Sequence, residues 1–255
     1  MRKMNIYQNK RREPEILRPH RAVPRIEIID RSRARDICSI PIPTMQITAS
    51  AWNDRHYILQ NSDQNEVGYF GVLRKISETV YRNESIVLFD QKVWPDFHRI
   101  DEGSQSDFVY RKMFEEDDEF MATHLHLWGH KHPGGMFQPS GYDERKVLTF
   151  DNEKAKHFFM EIMTATGRIT FVLYRFELGY RVYDCPWEIV PDSDPARILK
   201  VRDEMKEKVK PGTSLERLAA FQYYSIREEE TEVGGSIIDR TMAFLGGKKH
   251  ADNNN

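Results

Sequence analysis

The segment from His130 to Asp143 reads HKHPGGMFQPSGYD: two histidines one residue apart, a serine after seven more residues and an aspartate after a further two. Two imidazoles and a carboxylate form a donor set that borderline-soft zinc accepts, leaving a fourth tetrahedral position for water. Three protein ligands and an open position make a catalytic arrangement. A structural site closes with a fourth ligand, usually cysteine, and neither Cys38 nor Cys185 lies nearby in sequence. His130 and His132, at alternate positions of an extended segment, can aim at one point. Pro133-Gly134-Gly135 then turns the chain, and Pro139-Ser140 opens a helix whose first turn carries Asp143 back toward the histidines. A lone HxH is common on protein surfaces, so the weight of the reading lies in all four positions occurring together.

With Leu127-Trp128-Gly129 before it and Glu66-Val67-Gly68-Tyr69-Phe70-Gly71 upstream, this segment resembles the JAMM motif of the JAB/MPN metalloprotease family. That motif has a glutamate ahead of a glycine-containing apolar strand, then HxH, seven residues, Ser, two residues and Asp. The resemblance covers residues 44–190 and is specific at 66–71 and 128–143. It implies that His130, His132 and Asp143 bind one zinc ion. Glu66 would be the general base, taking a proton from the attacking water and passing it to the leaving amine. Ser140 would donate a hydrogen bond to the developing oxyanion while also capping its helix.

The reaction so implied is hydrolysis of the peptide or isopeptide bond after the carboxyl-terminal glycine of a ubiquitin-like modifier, in precursors or in conjugates. Partners would be that modifier, its conjugates and E1/E2-like conjugation proteins. Glycines suit a narrow channel, because bare backbone can lie close to a metal and pair with a flanking strand. The implied fold is α/β (mixed α+β), the MPN/JAB cytidine deaminase-like sandwich, with a central mixed β-sheet flanked by helices. Groove walls are expected near residues 74–115 and 144–165, from a loop at 94–106 and a helix near 153–164. The RadC-like branch shares the motif, so another amide is an alternative substrate. A metal-free MPN scaffold that only binds partners is a second alternative, against which stands the presence of Glu66, His130, His132, Ser140 and Asp143 together.

The elements that must position these residues follow from pattern. Met45–Thr48 reads as a strand, 49–59 as a helix and 61–65 as a loop. A strand starts at Glu66 and runs toward Val80, with a turn at Arg82-Asn83-Glu84 and another strand at 85–93. Residues 94–106 read as an irregular loop before a helix capped by Ser106 or Asp107, and the acidic run 115–119 as a solvated face. Met121–Trp128 is expected as the strand into the motif. Phe158, Phe159, Ile162 and Met163 have helical spacing within 152–164, and 169–177 with 180–190 reads as a hairpin around Leu178-Gly179.

Beyond Pro191, Ile198, Val201, Met205 and Val209 mark a helical stripe. Thr213 with Glu216 forms a capping box opening a helix whose Leu215, Leu218 and Phe221 should pack, and the tail 250–255 is expected to be disordered. Three regions result: a basic extension at 1–43, the metalloprotease domain at 44–190 and a helical extension at 191–255. His124 and His126 read as exposed or edge-strand residues, with contacts that support the motif histidines as the alternative; His98 and His157 carry no informative spacing, and Cys185 reads as a core thiol.

Charge and composition bound the partners. The 255 residues carry 38 Lys+Arg against 40 Asp+Glu. Residues 1–35 nevertheless hold eleven basic residues against four acidic ones. That arm lacks interleaved aromatics beyond Tyr7, which argues against nucleic acid. No apolar run approaches the 20 or so residues of a membrane span, and no apolar segment follows the basic start, so a reducing cytoplasm is the expected compartment.

Overall fold

The structure, a computed structural model, describes residues 23–34, 40–150, 155–192 and 195–220. In chain order the elements are β1 (Arg25–Ile28), β2 (Thr44–Thr48), α1 (Ala49–Asn61), β3 (Gly68–Lys75), β4 (Val80–Val87), β5 (Gln91–Trp94) and β6 (Phe97–Ile100). There follow α2 (Glu102–Phe114), α3 (Glu119–Thr123), β7 (Leu127–His132), α4 (Gly141–Leu148), β8 (Phe158–Thr164) and β9 (Ile169–Arg175). β10 (Tyr180–Tyr183), β11 (Trp187–Val190), α5 (Pro195–Lys208) and β12 (Val209–Pro211) complete them, with a last helical stretch over 214–220. This is a mixed α+β protein.

Among the described residues, nine strands form one sheet in the order β1-β10-β9-β8-β7-β3-β4-β2-β11. The β7–β8, β2–β4 and β2–β11 pairs are parallel and the others antiparallel. β10 and β11 belong to opposite ends of that order, yet only Asp184, Cys185 and Pro186 separate them. Three residues span about 10 Å, so the sheet must curl until its ends approach.

Both faces of the sheet are covered. Alternation sends Tyr69, Leu127, Phe159, Phe171 and Leu173 to one side, against Ile58 of α1 and Val201 and Met205 of α5. Phe70, Trp128, Phe158, Met160 and Val172 go to the other, against Phe108 of α2, Ala122 of α3 and Val147 of α4. A strand buried on both faces reads as an unbroken apolar run. This is why 158–164, expected as a helix, is instead the interior strand β8. It cannot wall a groove.

Other expectations are corrected too. Arg82-Asn83-Glu84 lie inside β4, because the chain turns earlier, where Ile76 and Ser77 donate to the Val80 carbonyl. Asn83 is buried and donates to the Val72 and Ser85 carbonyls beside a bulge between Val72 and Leu73, so tertiary satisfaction overrides its turn preference. The 94–106 loop holds β6, turned tightly from β5 through Pro95-Asp96, and α2 starts at an Asp101 cap rather than at Ser106 or Asp107. Residues 119–123 are the short helix α3, capped by Asp118, and only Leu127 onward is strand.

The hairpin around Leu178-Gly179 forms, with Gly179 at φ 65°, but its second strand ends at Tyr183 and β11 departs to β2. The Thr213–Glu216 capping box forms, while Leu215 and Leu218 are exposed rather than packed. Ala220 supplies the buried contact there, and Phe221, Cys38 and the tail 250–255 lie outside the described residues. Among the described residues no helix is long and apolar enough to cross a membrane.

Candidate metal centre

His130 and His132 leave the same face of β7, at the end where the strand runs out. The chain turns over residues 133–139, with Gly134 accepting from Ala165, and enters α4 at Ser140. Ser140 is the helix cap: its Oγ accepts from the Asp143 amide at 3.2 Å, and Asp143 Oδ2 accepts from the Ser140 amide at 2.7 Å. This reciprocal pair fixes the Asp143 carboxylate toward the histidines. Further along, Glu144 accepts from Tyr183 and pairs with Arg181, pinning α4 to β10.

The three side chains converge. His130 Nε2 and His132 Nε2 face each other at 2.9 Å, and Asp143 oxygens lie 3.3 Å from the first and 3.7 Å from the second. Donor atoms of His130, His132 and Asp143 all fall within 4.8 Å of one another, and the three residues are buried. His132 Nδ1 donates to the Met136 carbonyl at 2.9 Å, which leaves its Nε2 as a lone pair aimed at the cluster. His130 Nδ1 is buried and finds no hydrogen-bond partner among the described residues.

Electrostatics agree with a cation there. Burial opposes the Asp143 charge, yet the His130 imidazole and the hydrogen bonds around the carboxylate hold its pKa far below the ordinary range. Burial likewise pushes the His130 pKa down, and Asp143 more than reverses it. The pair thus favours a cation, or a proton, between its members. A metal ion takes the place of such a proton, since ligand imidazoles bind in the neutral form and carboxylates in the ionised one. This buried His130–His132–Asp143 group can hold a metal ion.

Glu66 stands beside it, two residues ahead of Gly68, which pairs with His130 across β3 and β7. Its amide donates to the Trp94 carbonyl at 2.8 Å, and its Oε1 accepts from His98 Nδ1 at 2.8 Å. Burial opposes ionisation of Glu66, but the His98 hydrogen bond and charge, with His130 and His132 beyond, hold its pKa below the usual value. The Gln91 side chain accepts from the Gly68 amide and donates to the Gly68 carbonyl, clamping the start of β3 to β5.

All five residues singled out in the sequence therefore lie around one end of β7 and β3. His98 and Gln91 join them unannounced. The available signal was Pro95-Asp96, a turn pair between KVW and FHRI that marks a two-residue hairpin placing His98 on a strand. His124 and His126 are not edge-strand residues: His124 caps the end of α3, and His126 precedes β7 at its opposite end, stacked on His157 with ring centroids 5.1 Å apart and away from the His130–His132–Asp143 group. Cys185 is a core thiol as expected, its pKa pushed up to about 12 by burial.

No family model matches the chain, and no curated protein matches it. Among solved structures it is similar to the solution structure of protein DSY2949 from Desulfitobacterium hafniense. That likeness has 14% identity and a TM-score of 0.41, over 59% of this chain and 94% of the other.

Proposed function

We propose that the chain is a zinc-dependent isopeptidase or peptidase on an MPN-like fold, cleaving after the carboxyl-terminal glycine of a ubiquitin-like modifier. The observation that carries the reading is the convergence of His130, His132 and Asp143, with the ionised Glu66 carboxylate beside them. The motif resemblance supplies the substrate class. Zinc held by these three residues would polarise the scissile carbonyl and make water acidic enough to lose a proton near neutral pH.

The remaining roles belong to the chain itself. Glu66 takes the proton of the attacking water and delivers it to the leaving amine, a task for which a carboxylate held ionised is suited. Ser140 already accepts from Asp143 through its Oγ lone pair, so its hydroxyl proton is available for the carbonyl oxygen of the substrate. Beyond Ser140, Gly134, Gly135 and Met136 form an exposed rim to the turn between the ligands.

The test is cleavage of a peptide carrying a Gly-Gly-ε-lysine isopeptide by zinc-loaded wild type and Glu66→Gln. Glu66→Gln should keep its zinc and lose about 100-fold or more in kcat, the usual worth of a general base. Cleavage only of amides without the diglycine would move the substrate to another class. Full turnover by Glu66→Gln would remove Glu66 from the chemistry.

A further inference from the structure

We infer that His98 is a positioning residue for the general base, holding one oxygen of the Glu66 carboxylate so that the other is presented to the attacking water. The inference rests on the hydrolytic reading of the site and deepens it. Nδ1 of His98 lies 2.8 Å from Glu66 Oε1, and both side chains are nearly excluded from solvent. A carboxylate only accepts, so with Glu66 ionised Nδ1 carries the proton and donates. Water competes poorly for a charge-assisted bond in such a place.

The surroundings are built for this contact. Gly68 follows Glu66 by two residues on the same face, and a Cβ there would lie 2.2 Å from His98 Nε2. Only a bare backbone lets the imidazole lie over β3 and reach Glu66. Trp128 and His130 bound the ring, with centroids 5.7 Å from it in each case. The hairpin carrying His98 is fastened to the same stretch twice more, through the Gln91 clamp on Gly68 and the Glu66 amide bond to Trp94.

Behind Trp94 lies the carboxyl-terminal strap. Its indole Nε1 donates to the Thr213 carbonyl at 2.9 Å, β12 pairs with β5, and Ala220 packs on Trp94 and Phe97. The hairpin is thus held from both sides. A carboxylate on a freely rotating side chain would sample many orientations, whereas one with an oxygen held starts each turnover in place.

Three measurements test this. The first is zinc per chain, which should stay at about one in wild type, His98→Phe and His98→Asn, because His98 is not a ligand. The second is steady-state cleavage of the Gly-Gly-ε-lysine peptide. His98→Phe keeps a stacked ring but no donor, and kcat should fall about 10- to 100-fold with KM within about twofold, the worth of one hydrogen bond to a charge. His98→Asn places an amide N–H near the Nδ1 position and should recover most of that loss. A lowered melting temperature with unchanged kcat in His98→Phe would overturn the inference.

The third is nitrogen-15 NMR of the metal-free protein, where a protected His98 Nδ1 proton is expected in wild type and is lost in Glu66→Ala. Should the wild type cleave no isopeptide at all, the hydrolytic reading fails by itself and the NMR decides. A protected, Glu66-dependent proton then upholds the positioning contact, and an Nδ1 proton that exchanges freely overturns it.

Discussion

Arg55 reaches from α1 to Glu161 in the middle of β8, on the sheet face opposite His130 and His132, and makes two parallel bonds of 2.7 and 2.6 Å there. Tyr69 donates to the same carboxylate at 2.8 Å. Both members of the ion pair are essentially free of solvent contact. Burial alone would depress the Arg55 pKa, and Glu161 raises it instead. Removing one partner strands the other's charge, so Glu161→Gln should cost about 3–5 kcal/mol by urea unfolding. The double replacement Arg55→Met/Glu161→Met should recover much of that loss. A single-variant loss below about 1 kcal/mol would contradict this reading. Neither this pair nor the His98–Glu66 contact is legible in sequence, because their partners are 106 and 32 residues apart. The candidate ligands and Ser140 were legible, since His130, His132, Ser140 and Asp143 sit within one local turn whose spacing itself builds the site.

Among the elements, α4 shows most plainly how a structural device serves the site. Its capping box satisfies the Ser140 and Asp143 amides and orients the Asp143 carboxylate with the same two hydrogen bonds. Ser140→Ala should therefore lower stability by about 1 kcal/mol in chemical denaturation. It should also weaken metal affinity in a competition titration with a chelator, because Asp143 loses half of its reciprocal restraint. Unchanged affinity would mean that the Ser140 amide alone suffices. Elements built on local signals were readable from the sequence: the helix α1 from its apolar spacing, the Gly179 turn and the Thr213–Glu216 box. The doubly buried β8 was not, because its apolar run carries no period of two and its Phe158-Phe159 and Ile162-Met163 pairs mimic a helix face. Asn83 misled for the opposite reason: a turn-forming residue was used to satisfy a bulge.

For the whole molecule, the nine-stranded curl of the described residues places the His130–His132–Asp143 group at one end of β7 and a histidine stack at the other. His126 and His157 stack there, with Tyr81 against His157 at 5.0 Å. Burial, then His126, Arg175 and Lys75, press the His157 pKa down to about 3. Its unfolded value is about 6.5, so the unfolded chain binds the extra proton and folding loses stability as pH falls from about 6.5 toward 3. His130 has the opposite sign in the metal-free protein: its raised pKa contributes stability below about 6.5 that fades at higher pH. Comparing metal-free wild type with His157→Phe cancels the His130 part. The melting temperature of His157→Phe should fall less between pH 7 and pH 4.5 than that of wild type, and equal slopes would contradict the assignment. The curl itself follows from a three-residue link between β10 and β11 that no local pattern announces, and β1 adds an edge strand from within the basic amino-terminal stretch.

If His130, His132 and Asp143 form an open metal site, zinc per chain should differ between purified wild type and His132→Ala. Wild type should carry about one zinc and the variant far less, with both chains folded by circular dichroism. No zinc in wild type after reconstitution would contradict such a site.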